Sequence, residues 1–144
     1  MTASISFYNG FKEYCADATI DLDNDTFKLS LHTSSYTFSA THDDLAATSD
    51  QLSTASGYTS GGATLASVTW GQTSGTATFD AADVSWTASS GSLVFRRGVI
   101  YSDTSTTDKL VLSVLFDTTP ADITVADGNT FTVQWHASGI FTLA

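Results

Sequence analysis

This sequence has few basic residues, one glutamate, one cysteine and one proline, and these shortages argue against several classes of structure and function. Five Lys and Arg stand against 15 acidic residues, for a formal net charge of −10. Binding to nucleic acid depends mainly on a cationic surface, so we expect no direct contact with DNA or RNA. An anionic surface instead favours solubility, or docking onto a basic partner.

The single cysteine, Cys15, excludes an intrachain disulfide. We interpret it as a small buried side chain on an apolar helix face. The sequence has no run of about 18 apolar residues, and no basic segment followed by a long apolar one. We therefore expect neither a transmembrane span nor a secretion signal, and no membrane partner.

Serine and threonine, by contrast, make up nearly a third of the chain. Threonine is β-branched and suits the exposed face of a pleated sheet, whereas soluble helical proteins use the Lys and Glu that are scarce here. A hydrophobic content of 42% and a single proline argue against disorder. The composition predicts a mainly β protein, and residues 1–144 read as a single domain.

One helix is predicted, over residues 5–18, with Ser4 or Ser6 as its N-cap. Its apolar stripe has spacings of four, three and four: Phe7, Phe11, Tyr14 and Ala18. About eight short strands follow, at 27–32, 63–70, 76–79, 83–88, 93–101, 109–116, 130–137 and 140–144, with a further short candidate at 123–125. Polar turns at 8–12-residue spacing predict an antiparallel β-sandwich or jelly roll with one short N-terminal helix.

Two stretches carry more specific expectations. Strand 27–32 alternates apolar and polar residues, which predicts a half-buried strand, whereas strand 109–116 is apolar on both faces, which predicts a central one. Between the first strands, residues 33–58 are polar and irregular, apart from a short helix within 43–53 that carries Leu45 and Leu52. We interpret 33–58 as a long surface excursion, of a kind that often contacts other molecules.

Candidate chemistry is sparse. Asp21, Asp23 and Asp25 have the spacing that opens a calcium loop, but Thr26 and His32 occupy the positions where an EF-hand needs Gly and Glu. A simpler cation site is the alternative to a turn in which these Asp side chains bond local amides, and we favour the turn. The three histidines lack zinc-site spacing, and two of them, His32 and His136, fall at outward strand positions, where a solvated or interface role is the default.

We expect no enzyme activity and no cofactor. No G-x-S-x-G elbow is present to position a serine nucleophile, and no carboxylate lies in an evidently apolar stretch that would raise its pKa. The three tryptophans, Trp70, Trp86 and Trp135, fall inside strand patterns, where aromatic residues pack the core. Stacking on sugar is the alternative interpretation of these tryptophans.

Arg96 and Arg97 form the only pair of adjacent basic residues, and they interrupt an apolar strand. Because successive strand residues face opposite sides, one arginine is expected to point inward and the other outward. Arginine suits bidentate pairing with carboxylates and protein interfaces. Two roles stay open: pairing with an Asp of the same chain, or a contact between subunits.

A bend at Gly57-Tyr58-Thr59-Ser60-Gly61-Gly62-Ala63-Thr64-Leu65 carries the most information, because Gly61 and Gly62 can adopt positive φ before a strand. Other motifs follow in order along the chain: Ser6-Phe7-Tyr8-Asn9-Gly10-Phe11, Ile20-Asp21-Leu22-Asp23, Leu31-His32-Thr33-Ser34-Ser35-Tyr36-Thr37, Thr78-Phe79-Asp80-Ala81-Ala82-Asp83-Val84-Ser85-Trp86 and Trp135-His136-Ala137-Ser138-Gly139-Ile140. Their order resembles that of small β-rich virion structural proteins of tailed bacteriophages.

The resemblance implies a virion component made in the host cytoplasm. The first expectation is a capsid cement or decoration protein on the capsid exterior, which binds the major capsid protein lattice as a homo-oligomer, with a trimer favoured. The alternatives are a tail-tube, baseplate or fibre subunit, and a host-glycan binder that uses exposed Tyr36 or Tyr58. The expected interface residues are Phe7, Phe11, Tyr36, Tyr58, Arg96 and Arg97.

Overall fold

The fold is known from a computed structural model, which describes residues 3–119 and 122–144. Strands and isolated β-bridges hold 40% of the described residues and helices 6%, so the predicted mainly β class is confirmed. The strands are β1 (Ser4–Phe7), β2 (Phe27–His32), β3 (Ala63–Thr64), β4 (Thr69–Thr73), β5 (Thr76–Asp80), β6 (Val84–Thr87), β7 (Leu93–Phe95), β8 (Arg97–Ser102), β9 (Leu110–Leu115), β10 (Ile123–Val125), β11 (Thr130–Val133) and β12 (Phe141–Leu143). The described residues also form one helix, α1 (Asn9–Tyr14), and one 3₁₀ turn, Leu45–Ala47.

All the strand pairs within residues 3–119 and 122–144 are antiparallel. The largest sheet has five strands in the order β1-β9-β8-β2-β3, and smaller groups pair β10 with β7, β11 with β6, and β12 with β5 and β4. Aromatic contacts join the five-stranded sheet to the smaller groups: the Phe27 and Phe79 rings lie 5.2 Å apart, and those of Phe116 and Phe131 lie 5.3 Å apart. The arrangement is β-sandwich-like, as the sequence predicts.

The predicted helix over 5–18 is wrong in length. Residues 4–7 form β1 instead, paired with β9 in a register that places Ile5 opposite Val114. Helix α1 begins after Tyr8, which caps it without a side-chain hydrogen bond, so neither Ser4 nor Ser6 is the N-cap. The helix ends at Tyr14, and Ala18, with a φ of 65°, is not helical. The two phenylalanines of the expected stripe still stack, with ring centroids 5.7 Å apart, although Phe7 lies in a strand.

Strand β9 is central, as its two apolar faces predict: it lies between β1 and β8, and all its residues except Leu115 are buried. Strand β2 differs from its prediction. Its apolar residues face the main core, but Ser30 and His32 on the other face are also fully buried. His32 is therefore not solvated, and the outward assignment of that histidine is wrong.

Segment 33–58 explains this burial, because it folds back over the second face of the five-stranded sheet. A separate aromatic cluster lies there: Tyr8, Tyr36, Val99, Tyr101 and Leu110, with Phe38 and Leu45 packed against it. Backbone hydrogen bonds from Leu52 to Leu31 and from Leu110 to Asp43 fasten the segment to β2 and β9, and one from Thr33 to Asp50 links its two ends. The segment is a cover for the sheet and not a free excursion, and within 43–53 only Leu45–Ala47 is helical.

The bend at 57–65 has the predicted backbone and is largely exposed or half-buried, but its tyrosine is buried. Gly57, Gly61 and Gly62 all have positive φ, at 86°, 98° and 85°. A Cβ on Gly62 would lie 2.0 Å from the Leu29 carbonyl oxygen, so only glycine allows the bend to approach β2. Tyr58, expected to face solvent, points inward and is 2% exposed.

Candidate interaction surfaces

Three of the six expected interface residues are buried. Phe11 and Tyr58 belong to the main core, and Tyr36 belongs to the second cluster. The Tyr58 hydroxyl accepts a hydrogen bond from the Leu31 amide at 3.1 Å, and burial raises its pKa to about 12. Neither Tyr36 nor Tyr58 offers a face on which a sugar could stack. The expectation that these two tyrosines are exposed for glycan binding is therefore wrong. Phe7 is half-buried against Phe141, at 5.2 Å.

The tryptophans also pack inward: Trp86 is a buried core residue, while Trp70 and Trp135 are half-buried against that core. Cys15 is only partly buried and lies at the C-cap of α1. The acidic cluster forms the local turn that the sequence favours. Asp21 Oδ1 accepts hydrogen bonds from the Asp23 and Asn24 amides, at 3.0 and 3.2 Å. The Asn24 side chain lowers the Asp21 pKa.

Beneath segment 33–58 lies a network of polar side chains. The Tyr8 and Tyr36 hydroxyls are 2.9 Å apart, and His42 Nδ1 lies 3.0 Å from Tyr36 Oη. Burial raises the pKa of both tyrosines, which favours their neutral form still further. The hydroxyls satisfy each other in a place that water does not reach, which is the requirement for burying polar groups.

His32 and Ser30 form a second part of this network. His32 Nδ1 lies 2.8 Å from the Ser49 carbonyl oxygen, which can only accept, so Nδ1 carries the proton. Its Nε2 then accepts from Ser30 Oγ at 2.9 Å. Burial lowers the pKa of His32 and keeps it neutral. A serine and a histidine are thus hydrogen-bonded, but both are 0% exposed, so no substrate reaches them in this conformation.

The predicted strand 93–101 is two strands, and Arg96 lies between them. Strand β7 pairs with β10, strand β8 joins the five-stranded sheet, and the chain passes between the two at Arg96. Both side chains line one polar groove of about 350 Å³, here called the arginine groove: Thr33, Ser34, Tyr36, Thr37, Phe38, Arg96 and Arg97. Both arginines are half-buried.

The expected intrachain pairing of these arginines with an Asp is not found within residues 3–119 and 122–144. The ion pairs there use the lysines, with Lys28 3.1 Å from Asp103 and Lys109 bonded to Asp43. Arg97 instead donates to Ser113 Oγ at 3.0 Å, and its guanidinium lies 5.4 Å from the centre of the Phe38 ring. Burial lowers the Arg97 pKa, while the guanidinium stays charged at neutral pH.

A second, apolar groove of about 430 Å³ opens beside β1, and we call it the β1 groove: Ala3, Ser4, Ile5, Val114, Phe116, Phe131, Thr132, Val133, Gln134, Trp135, His136, Gly139 and Ile140. Ile5 is 40% exposed at its edge. Among the described residues β1 pairs only with β9, so its other edge offers unpaired backbone groups. The sequence does not predict this groove, because it predicts a helix over residues that form β1.

No protein-family model, curated protein or solved structure matches this chain. Within the described parts of the chain, no helix is long and apolar enough to cross a membrane. The same residues contain no group of three or more His, Cys, Asp or Glu side chains arranged to hold a metal ion.

Proposed function

We propose that this protein is a virion structural subunit, and most specifically a cement or decoration protein that binds the major capsid protein lattice from outside. The order of sequence motifs that resembles tailed-phage virion proteins motivates the proposal. The observation that carries it is the β1 groove, in which an unpaired strand edge adjoins exposed apolar side chains. An extended segment of a neighbouring subunit can add to such an edge and place its side chains in the groove.

The action would be binding alone. Many copies, each burying a moderate area between capsid subunits, would hold the lattice against internal pressure. The net charge of −10 suits docking onto a basic surface of the partner, and it keeps free copies soluble. A homo-oligomer, with a trimer favoured, fits a lattice that repeats the same contact.

The test is binding of the purified protein to empty heads assembled without it, followed by reconstruction of the particles. We expect hundreds of ordered copies on the head exterior and greater resistance of the heads to heat. Density in threes or sixes on the tail would contradict a cement protein and would favour the tail-subunit alternative. Unchanged head stability and no density anywhere would overturn both.

A pair of matched variants tests the β1 groove. Ile5→Asp puts a charge at the groove, whereas Val94→Asp puts the same charge on another exposed apolar residue, which is 41% exposed on β7. We expect Ile5→Asp to weaken binding to heads by at least about tenfold, since desolvating a carboxylate in an apolar contact costs more than about 1.4 kcal/mol. Val94→Asp should bind like the original protein, and equal losses would reject the β1 groove as the contact.

A further inference from the structure

The arginine groove gathers positive charge in a protein that otherwise has little. Three of the five cationic residues are lysines, and two of these, Lys28 and Lys109, are each paired with an Asp side chain. The two arginines lie next to each other, and no carboxylate of the described residues forms an ion pair with either. Fourteen Asp residues were available to neutralise them. The groove therefore keeps two guanidinium groups available to a ligand.

Arg97 is held in place before any ligand arrives. Its hydrogen bond to Ser113 Oγ and its position over the Phe38 ring hold the guanidinium in place. A guanidinium that is already ordered and partly desolvated loses little freedom when it binds an anion. A cation stacked on an aromatic ring also keeps its remaining N–H groups free for such a partner.

The other residues of the groove suit an oxyanion. Three residues with hydroxyl side chains also line it, Thr33, Ser34 and Thr37, and the Thr33 and Thr37 hydroxyls can donate hydrogen bonds to a ligand. Ser34 Oγ already donates to Asp122 Oδ2, at 3.1 Å, so one carboxylate lies at the rim. The Asp122 carboxylate contacts this hydroxyl and forms no ion pair with either guanidinium group. Its negative charge repels an anion that is large enough to extend to the rim of the groove.

Size and charge narrow the ligand class. A groove of about 350 Å³ holds a small group and not a polymer. The net charge of −10 repels polyanions such as nucleic acid at long range. A compact group with one or two negative charges meets both limits, and the arginine fork matches carboxylate and phosphate oxygens in the same geometry.

We propose that the arginine groove is a binding site for a single oxyanionic group, a carboxylate or a phosphate, held by Arg96 and Arg97. The site does not depend on the proposed virion role, since it rests on the groove alone. A carboxylate would come from a small acid or from one acidic side chain of a protein, and a phosphate from a phosphorylated small molecule.

The experiment titrates the protein separately with acetate and with inorganic phosphate at constant ionic strength, while backbone amides and arginine Nε–H groups are followed by NMR. Constant ionic strength removes general screening effects. We expect saturable shifts at 33–38 and at both arginines, with millimolar dissociation constants for at least one probe. Saturation by one probe only would name the source of the oxyanion.

Charge-matched variants locate the binding. Arg96→Gln should weaken binding at least about tenfold, because it removes a charge-assisted contact, whereas Lys12→Gln, on α1, should leave it unchanged. Arg97→Gln also loses the Ser113 and Phe38 contacts, so its effect on binding is ambiguous. The decisive variant is therefore Arg96→Gln, provided that its amide spectrum shows an unchanged fold. Asp122→Asn should tighten binding about twofold or more, since it removes a like charge from the rim.

Shifts that never saturate with either probe would overturn the proposal. So would equal affinity in the original protein and in Arg96→Gln, because the arginines would then not be the site. This titration uses no capsids, and a failure here leaves the virion proposal standing.

Discussion

One face of the five-stranded sheet packs on other strands, whereas the opposite face packs on segment 33–58, which has almost no regular structure. The first face is an apolar core built from phenylalanine, leucine and valine. The second is an aromatic cluster joined to hydrogen-bonded hydroxyl and imidazole groups. Apolar burial tolerates small shifts, but a buried polar network is stable only when each group keeps its partner. The two faces should therefore fail differently.

The largest effect is expected from the apolar face. Phe79 is 0% exposed, and its ring contacts those of Phe27 and Phe141 at 5.2 and 5.0 Å. Phe79→Ala should lower the free energy of unfolding by about 3–5 kcal/mol, because it leaves a cavity between the layers. Urea unfolding measures this. Leu45→Ala, on the half-buried cover of the other face, should cost clearly less, and equal losses would contradict the distinction.

Gly62→Ala tests the junction where the cover returns to the sheet. The added Cβ would meet the Leu29 carbonyl, and alanine also resists a φ of 85°. We expect a loss of about 3 kcal/mol from steric clash and backbone strain together. Gly75→Ala is the matched control, with a φ of 87° and open space around it. It should lose only about 1 kcal/mol, and a similar loss in both would show that the approach to β2 is not tight.

Acid should weaken the polar face through His32. Its pKa is lowered in the folded protein, so the unfolded chain binds more protons once the pH falls below about 6.5. The free energy of unfolding should therefore be fully present above pH 6.5 and fall below it, by up to about 1.4 kcal/mol per pH unit. Unfolding measured between pH 5 and 7 reports this slope.

Two variants test whether His32 causes this pH dependence of the free energy of unfolding. His32→Gln should remove this contribution to it, whereas His136→Gln changes an exposed histidine and should retain it. An unchanged slope in His32→Gln would mean that another group controls the acid response.

The smallest effect concerns one hydroxyl. Tyr8→Phe leaves the Tyr36 hydroxyl without its buried partner at 2.9 Å, and should cost about 1 kcal/mol. Tyr36→Phe and the double variant complete a cycle, in which a coupling near zero would contradict a cooperative network. Hydrogen exchange of the amides in 33–58 should increase in both single variants, while amides of β9 stay protected.

The sequence predicted the class of fold because alternation and turn spacing are local signals. Strand β9, with apolar residues on both faces, was correctly placed at the centre of a sheet. Helix α1 was overextended because the 4-3-4 spacing outweighed the shorter alternation of Ser4, Ile5, Ser6 and Phe7. These four residues form a strand because they pair with β9, more than 100 residues away in the sequence.

The candidate surfaces were less predictable. The alternation in β2 separates its two faces correctly, but it cannot show that a distant polar segment buries the second one. Tyr36, Phe38 and Leu45 within that segment were the available signal. The sequence marks Arg96 and Arg97 as the only adjacent basic pair, yet their shared groove depends on the chain changing sheets between β7 and β8, which no local pattern encodes.

The pairing of β1 with β9 also sets an order of events during synthesis. Ser4 to Phe7 leave the ribosome more than 100 residues before their partners at 112–115 emerge. Until then the β1 segment has no strand to pair with, and several phenylalanine side chains stay exposed to solvent. Such long-range closure slows folding and lengthens exposure to aggregation. Yield in a host cell should accordingly depend on translation speed and chaperone supply.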